Sequence, residues 1–192
     1  MSAVPKPHSI SEPEYLAGEL RSHVKHEFLA GQVYAMAGAS NLHNDVAGNI
    51  FAALKVRLRG RPCRPYNSDT KVRLNYEGER FFYYPDASVT CRPNSPEESF
   101  QDAPAAIFEV LSESTRRIDE REKKSAYLAQ ESLYIYALVE VQIPKVIVWR
   151  RAGSGFVREV IEGLAASISL PELETELPLA EIFEDITFAV SD

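Results

Sequence analysis

Ala105-Ala106-Ile107-Phe108-Glu109-Val110-Leu111 is a nearly unbroken apolar run with a single acid inside it. A short apolar run of this kind predicts a central strand buried on both faces. An ionised carboxylate there is costly unless a cation or several donors meet it. Glu109 therefore calls for a lysine, an arginine or a metal ion close by. Upstream, Tyr83-Tyr84-Pro85-Asp86-Ala87-Ser88-Val89 puts a second carboxylate in or beside another apolar strand. The proline marks an edge, bulge or bend, where a side chain can be re-aimed. Downstream, Asp119, Lys123 and Tyr127 recur at four-residue spacing, which places them on one face of a helix.

Outward from this centre, the pattern reads as a mixed sheet flanked by helices, an α/β or α+β fold. Ser11 to Gly18 predicts a short opening helix, with Ser11 and Glu14 spaced as a capping box. His26 to Met36 predicts a hairpin turning near Ala30-Gly31. Leu42, Val46, Ile50, Leu54 and Leu58 share one face of a helix capped by Ser40 and stopped by Gly60 and Pro62. Strand-like segments lie near Arg64–Tyr66, Lys71–Leu74 and Arg80–Thr90. A helix is expected over Asp119–Gln130, then strands at Tyr134–Val141, Lys145–Arg150 and Phe156–Ile161, and a closing helix at Leu179–Phe183.

The 192 residues fit one domain, 1–192 with a core of about 10–185. Cys63 and Cys91 make no disulfide framework and lack zinc-site spacing, so both read as reduced residues in or near the core. No apolar run approaches the roughly 20 residues of a membrane helix. The first residues also lack the apolar core of a signal peptide. With unpaired cysteines, these features lead to an expected cytoplasmic location. A net charge of −7 does not advertise a nucleic-acid binder. The run from Lys55 to Arg64 is nevertheless strongly basic, Arg116-Arg117 and Lys123-Lys124 are smaller basic clusters, and Glu172 to Glu184 is acidic. The basic run fits either a solvated helix face or a phosphate-tracking surface.

Two carboxylates on adjacent strands with a lysine nearby suit Mg²⁺ or Mn²⁺, which take hard oxygen ligands. Such an ion polarises a phosphodiester and supplies hydroxide from water, while a lysine orients that water or offsets developing charge. The order Pro85-Asp86, Glu109-Val110-Leu111-Ser112-Glu113-Ser114-Thr115, Asp119-x-x-x-Lys123-x-x-x-Tyr127 resembles the Uma-two branch of the PD-(D/E)XK nuclease superfamily. The block from Glu27 through Gly31 to Ser40-x-x-His43, and the later Ser132-Leu133-x-x-Tyr136, resemble the same family. Together they span roughly residues 10 to 185. The resemblance implies a restriction-endonuclease-like core, metal-dependent cleavage of DNA, Asp86 and Glu109 as metal ligands, and Glu27 as a third, outer carboxylate. In the wider superfamily a lysine stands two residues after the glutamate. Here that position is Leu111, and Lys123 resembles the family's substitute.

Each of these residues also has a plain structural reading. Glu109 could pair with Lys123 or an arginine purely for stability. Asp86 could end a strand. Glu27 could be a cross-strand hairpin partner, and Asp119 a helix-start acid favoured by the dipole. His43 falls in a first helical turn, and Tyr127 reads as core packing with a hydrogen-bonded hydroxyl. Ser112 and Ser114 lack a Gly-x-Ser-x-Gly elbow. The leading expectation is an endonuclease acting on DNA, for which a twofold dimer would suit a cut in both strands. Against it stand a non-catalytic DNA- or protein-binding module that keeps the fold and a phosphoesterase acting on a small nucleotide.

Overall fold

A computed structural model of the chain describes residues 9–112, 116 and 119–188. Residues 113–115 of the central motif and Arg117 of the Arg116-Arg117 cluster lie outside the described residues.

The chain opens with α1 (Glu12–Glu19), whose Ser11 and Glu14 form the expected capping box. Strands β1 (His26–Leu29) and β2 (Gln32–Ala35) make the expected hairpin. The turn uses positive φ at Ala30 and Gly31; a side chain at Gly31 would also collide with Ser9. Helix α2 (Asn41–Arg57) follows its Ser40 cap. Then come β3 (Arg64–Asn67), β4 (Lys71–Tyr76), β5 (Glu79–Tyr83), β6 (Ala87–Thr90), β7 (Phe100–Gln101) and β8 (Pro104–Val110). A π-helical turn (Asp119–Lys123) runs into α3 (Lys124–Leu128). Strands β9 (Ile135–Val139), β10 (Lys145–Ala152), β11 (Gly155–Glu162), β12 (Ser167–Leu170) and β13 (Thr175–Pro178) precede α4 (Leu179–Ile182).

The strands form two mixed sheets and a separate β12–β13 hairpin. One sheet has the order β2-β1-β5-β4-β7, the other β11-β10-β9-β8-β6-β3. The expected Arg80–Thr90 segment is split by Tyr84-Pro85-Asp86. β5 ends in the first sheet and β6 begins in the second. Proline cannot donate to a ladder, so the chain leaves one sheet there and enters the other.

Strand β8 is buried along its whole length, as its apolar run predicts. Its alternating side chains face two different cores. Ala106, Phe108 and Val110 pack with Val46, Ile50 and Leu54 of α2 and with α4. Ile107 and Leu111 pack on the other side with Val72, Leu74, Tyr83, Tyr127, Leu133 and Tyr136. Glu109 shares that second face, between the two sheets and α3.

The basic run and the acidic C-terminal stretch meet each other. Arg57 pairs with Glu181 and Arg61 with Glu174, which takes two cations of the run out of play for a phosphate backbone. Among the described residues, no helix is long and apolar enough to cross a membrane.

The cysteine expectation needs correction. Cys63 and Cys91 are near the core, but they are joined in a disulfide. Cys63 directly precedes β3 and Cys91 directly follows β6. Arg64 and Thr90 are register partners, so the next pair outward brings the two sulfurs together. Sequence spacing could not show this, because strand pairing closes a gap of 28 residues. The disulfide also withdraws unpaired cysteines as a ground for expecting a cytoplasmic location. Protein purified without reductant and then unfolded is expected to show no thiol with a thiol-reactive dye, and two after reduction. Loop-closure entropy predicts that the reduced form is less stable by about 3 kcal/mol in denaturant titration.

Candidate active site

The antiparallel register of β6 and β8 pairs Ala87 with Phe108. One step further out, past Pro85, Asp86 stands opposite Glu109. The two residues clasp each other through the backbone. The Asp86 N–H donates to Glu109 Oε2 at 3.4 Å, and the Val110 N–H donates to Asp86 Oδ2 at 2.7 Å. Asp86 Oδ2 also lies 3.3 Å from His43 Nε2. His43 is held there because the Ser40 hydroxyl accepts its backbone N–H, fixing the first turn of α2.

Lys123 arrives from the π-helical turn. Its Nζ is 2.9 Å from Glu27 Oε1, 3.5 Å from Asp119 Oδ1 and 3.7 Å from Glu109 Oε1, and it lies over the Tyr83 ring. Glu27 projects from β1 and also accepts the Tyr84 N–H at 3.4 Å. The structure thus brings together all four residues singled out by sequence: Asp86, Glu109, Lys123 and Glu27. Leu111, in the slot of the usual in-strand lysine, is buried among apolar side chains. The helix lysine reaches the carboxylates from above instead.

Two further residues, read from the sequence in plain structural roles, join the cluster. Asp119 does start the helical segment, and it is also only 2% exposed, beside Lys123. Its four-residue spacing to Lys123 was the available signal. His43 meets Asp86, and the Ser40-x-x-His43 spacing was the corresponding clue. Tyr127 packs in the core as expected, but its hydroxyl has no hydrogen-bond partner among the described residues. Tyr136, by contrast, donates to the backbone oxygen of Asp119 at 2.8 Å.

Negative charge exceeds positive charge in this cluster. Burial pushes the Glu109 carboxyl well above its ordinary range; Lys123 opposes this, while Asp119, Asp86 and Glu27 reinforce it. Burial works against the Lys123 ammonium, but Glu109, Glu27 and Asp119 outweigh it and hold its pKa above the ordinary value. Burial likewise disfavours the His43 cation, and the Asp86 hydrogen bond and charge overcome that and raise its pKa. The cluster thus favours the charged form of Lys123 and disfavours ionisation of Glu109.

The donor set suits a divalent cation only in part. Among the described residues, no three His, Cys, Asp or Glu side chains already converge on one point. Glu109 Oε1, however, is buried with no hydrogen-bond partner among the described residues, and carboxylates outnumber cations in the cluster. Mg²⁺ commonly takes only one or two carboxylates, with water and phosphate completing its shell. Asp86 and Glu109 fit that need. Glu27 fits it less well, because Lys123 already engages its Oε1.

The family profile described as "Putative restriction endonuclease", Uma2, matches residues 12–182. This chain belongs to the Uma2 family. Two uncharacterised proteins of Synechocystis sp. resemble it. One, slr1290, is 35% identical over 131 residues, 68% of each chain; the other, sll1609, is 31% identical over 134 residues, 68% of this chain and 75% of its own. The crystal structure of a "putative nuclease belonging to DUF820" from Anabaena variabilis shares the fold. Its TM-score is 0.65 at 17% identity, covering 84% of this chain and 91% of that one. The Uma2 profile points to a nuclease, and the structural match shows the shared fold.

Charge balance at the Uma2 cluster makes opposite predictions for two substitutions. Lys123→Met leaves buried carboxylates unpaired and is expected to cost about 3–5 kcal/mol at pH 7. Glu109→Gln removes a carboxylate whose ionisation the fold disfavours, and should leave stability at pH 7 unchanged or higher. Because the Glu109 pKa is raised on folding, its contribution is full below the unfolded carboxyl pKa and fades as pH climbs through the folded one. Glu109→Gln should remove that decline. Urea titrations of the metal-free protein across pH 4–9 would check both.

Proposed function

We propose that this protein is a metal-dependent endonuclease that hydrolyses phosphodiester bonds of DNA. The observation that carries this reading is the Asp86–Glu109 pair, clasped across β6 and β8 with one buried carboxylate oxygen unsatisfied and Lys123 reaching over it. Asp86 and Glu109 would hold Mg²⁺ or Mn²⁺, with Glu27 as an outer carboxylate. A bound ion of this kind supplies Lewis acidity and a nucleophilic water at neutral pH.

The protein's own groups do the rest. Lys123 sits where its ammonium can orient the water or offset charge growing on the phosphoryl oxygens. Glu27 and Asp119 hold Lys123 in that position and keep it charged. His43 and the Val110 N–H meet the same Asp86 oxygen, Oδ2, and together hold that carboxylate in place. The Asp86 backbone amide fixes one Glu109 oxygen and leaves the other facing Lys123.

One observation favours a non-catalytic module that retains the fold. The side chains of Glu109 and Lys123 are only 4% and 8% exposed, which leaves a phosphodiester little direct access to them. A Mn²⁺ titration of wild type, Asp86→Ala and Glu109→Ala separates the two readings. Binding by wild type and loss in both variants is expected. Cleavage of supercoiled plasmid and short duplexes in Mg²⁺ or Mn²⁺ should fall by roughly a hundredfold or more in either variant. Cleavage retained by both variants sinks the nuclease reading, and equal or absent Mn²⁺ binding in all three selects the non-catalytic module.

A further inference from the structure

Trp149 is the only tryptophan in the chain. It sits on β10, in register with Tyr136 of β9, which is itself in register with Ile107 of β8. Its ring therefore belongs to the same sheet face as Glu109, two strands away. Two inter-strand spacings and two residues along the strand give a backbone separation of roughly 12 Å.

Trp149 is only partly buried, and it floors a cleft of about 350 Å³ beside the helical segment that carries Lys123. Three cations line that cleft: Arg121, Lys124 and Arg158. Lys124 Nζ lies 4.9 Å from the centre of the indole ring and the Arg158 guanidinium 6.0 Å from it. None of the three pairs with a carboxylate among the described residues, whereas Arg57, Arg61, Arg73 and Arg116 all do. Glu120, the cleft's acid, is already engaged by Arg116. On a chain of net charge −7, three such cations beside a half-buried indole make a local exception.

We propose that this cleft binds one unpaired nucleotide of a nucleic-acid strand, the base stacking on Trp149 and the flanking phosphates meeting Arg121, Lys124 and Arg158. Aromatic platforms with a cationic rim bind single strands in this way because every base has a π-face. Bases inside a duplex are already stacked and cannot offer that face. Lys124 now covers the ring; when a base arrives, its ammonium moves a few ångströms to a phosphate. The inference rests on the nuclease reading for its purpose and specifies the substrate class: a strand that is unpaired beside the cut. It needs neither the metal nor the carboxylates.

The test uses the full-length protein in EDTA with a dye-labelled 12-nucleotide oligothymidylate. Trp149 emission reports stacking, and anisotropy of the dye reports binding. Quenching that saturates together with the anisotropy is expected, weakening with salt at a log–log slope of about −2 for three cations. Arg158→Ala, a change at an exposed side chain, should weaken binding severalfold with an unchanged melting temperature. Trp149→Leu should weaken it about tenfold; since Tyr136 packs on the indole, Arg158→Ala stands if Trp149→Leu misfolds. Asp86→Ala should still quench. Anisotropy without quenching, equal quenching by a 12-base-pair duplex, or no binding at all each overturns the platform. Quenching that persists while no preparation cleaves DNA or binds Mn²⁺ leaves the platform standing and removes the nuclease reading instead.

Discussion

A carboxylate in the middle of a strand buried on both faces must be met by something, and Glu109 is in that position. Its partners come from three separate parts of the chain. The Asp86 amide comes from the proline break, the Lys123 ammonium from the π-helical turn, and Glu27 and Asp119 tie that lysine down. An isolated charge there would cost several kcal/mol. The surrounding elements are therefore bound together by one electrostatic requirement as well as by apolar packing. β1, β8 and the π-helical turn each contribute a charge, and none of these charges is satisfied alone.

Pro85 gives the cluster its shape. By ending β5 in one sheet and releasing the chain into the other, it turns a residue of an ordinary strand end toward the neighbouring ladder. The register of β6 with β8 then leaves Asp86 no position other than opposite Glu109. The first core, made by α2 against β6, β8, β9 and β10, holds that register from below. The second core, rich in tyrosine, lies on the face that carries the charges. Stability and chemistry are divided between the two faces of the same strands.

The cluster is poorly arranged for stability alone. Four carboxylates surround one lysine and one histidine, and burial together with the neighbouring carboxylates pushes the Glu109 pKa well up. Replacing such groups by apolar side chains commonly stabilises a protein. Retaining them makes physical sense where a cation or a reacting phosphate completes the balance, as in the proposed function. The same bookkeeping sets apart the rim of Trp149, where the excess charge is positive and faces solvent.

Much of the fold and the core of the site were legible in the sequence. The burial of β8 follows from its apolar run, the α2 face from its four-residue period, the hairpin and caps from local turn chemistry, and the need for a partner at Glu109 from the cost of burying charge. These are local properties of contiguous residues. Tertiary structure alone decided what depends on which distant segments pair. It joined Cys63 to Cys91, drew Asp119 inward, set His43 against Asp86, turned the basic run onto the acidic C-terminal stretch, and gathered at the Trp149 cleft three cations with no carboxylate partner among the described residues. The strand register and helix docking that fix these contacts minimise energy over the whole chain, and no window of neighbouring residues contains that information.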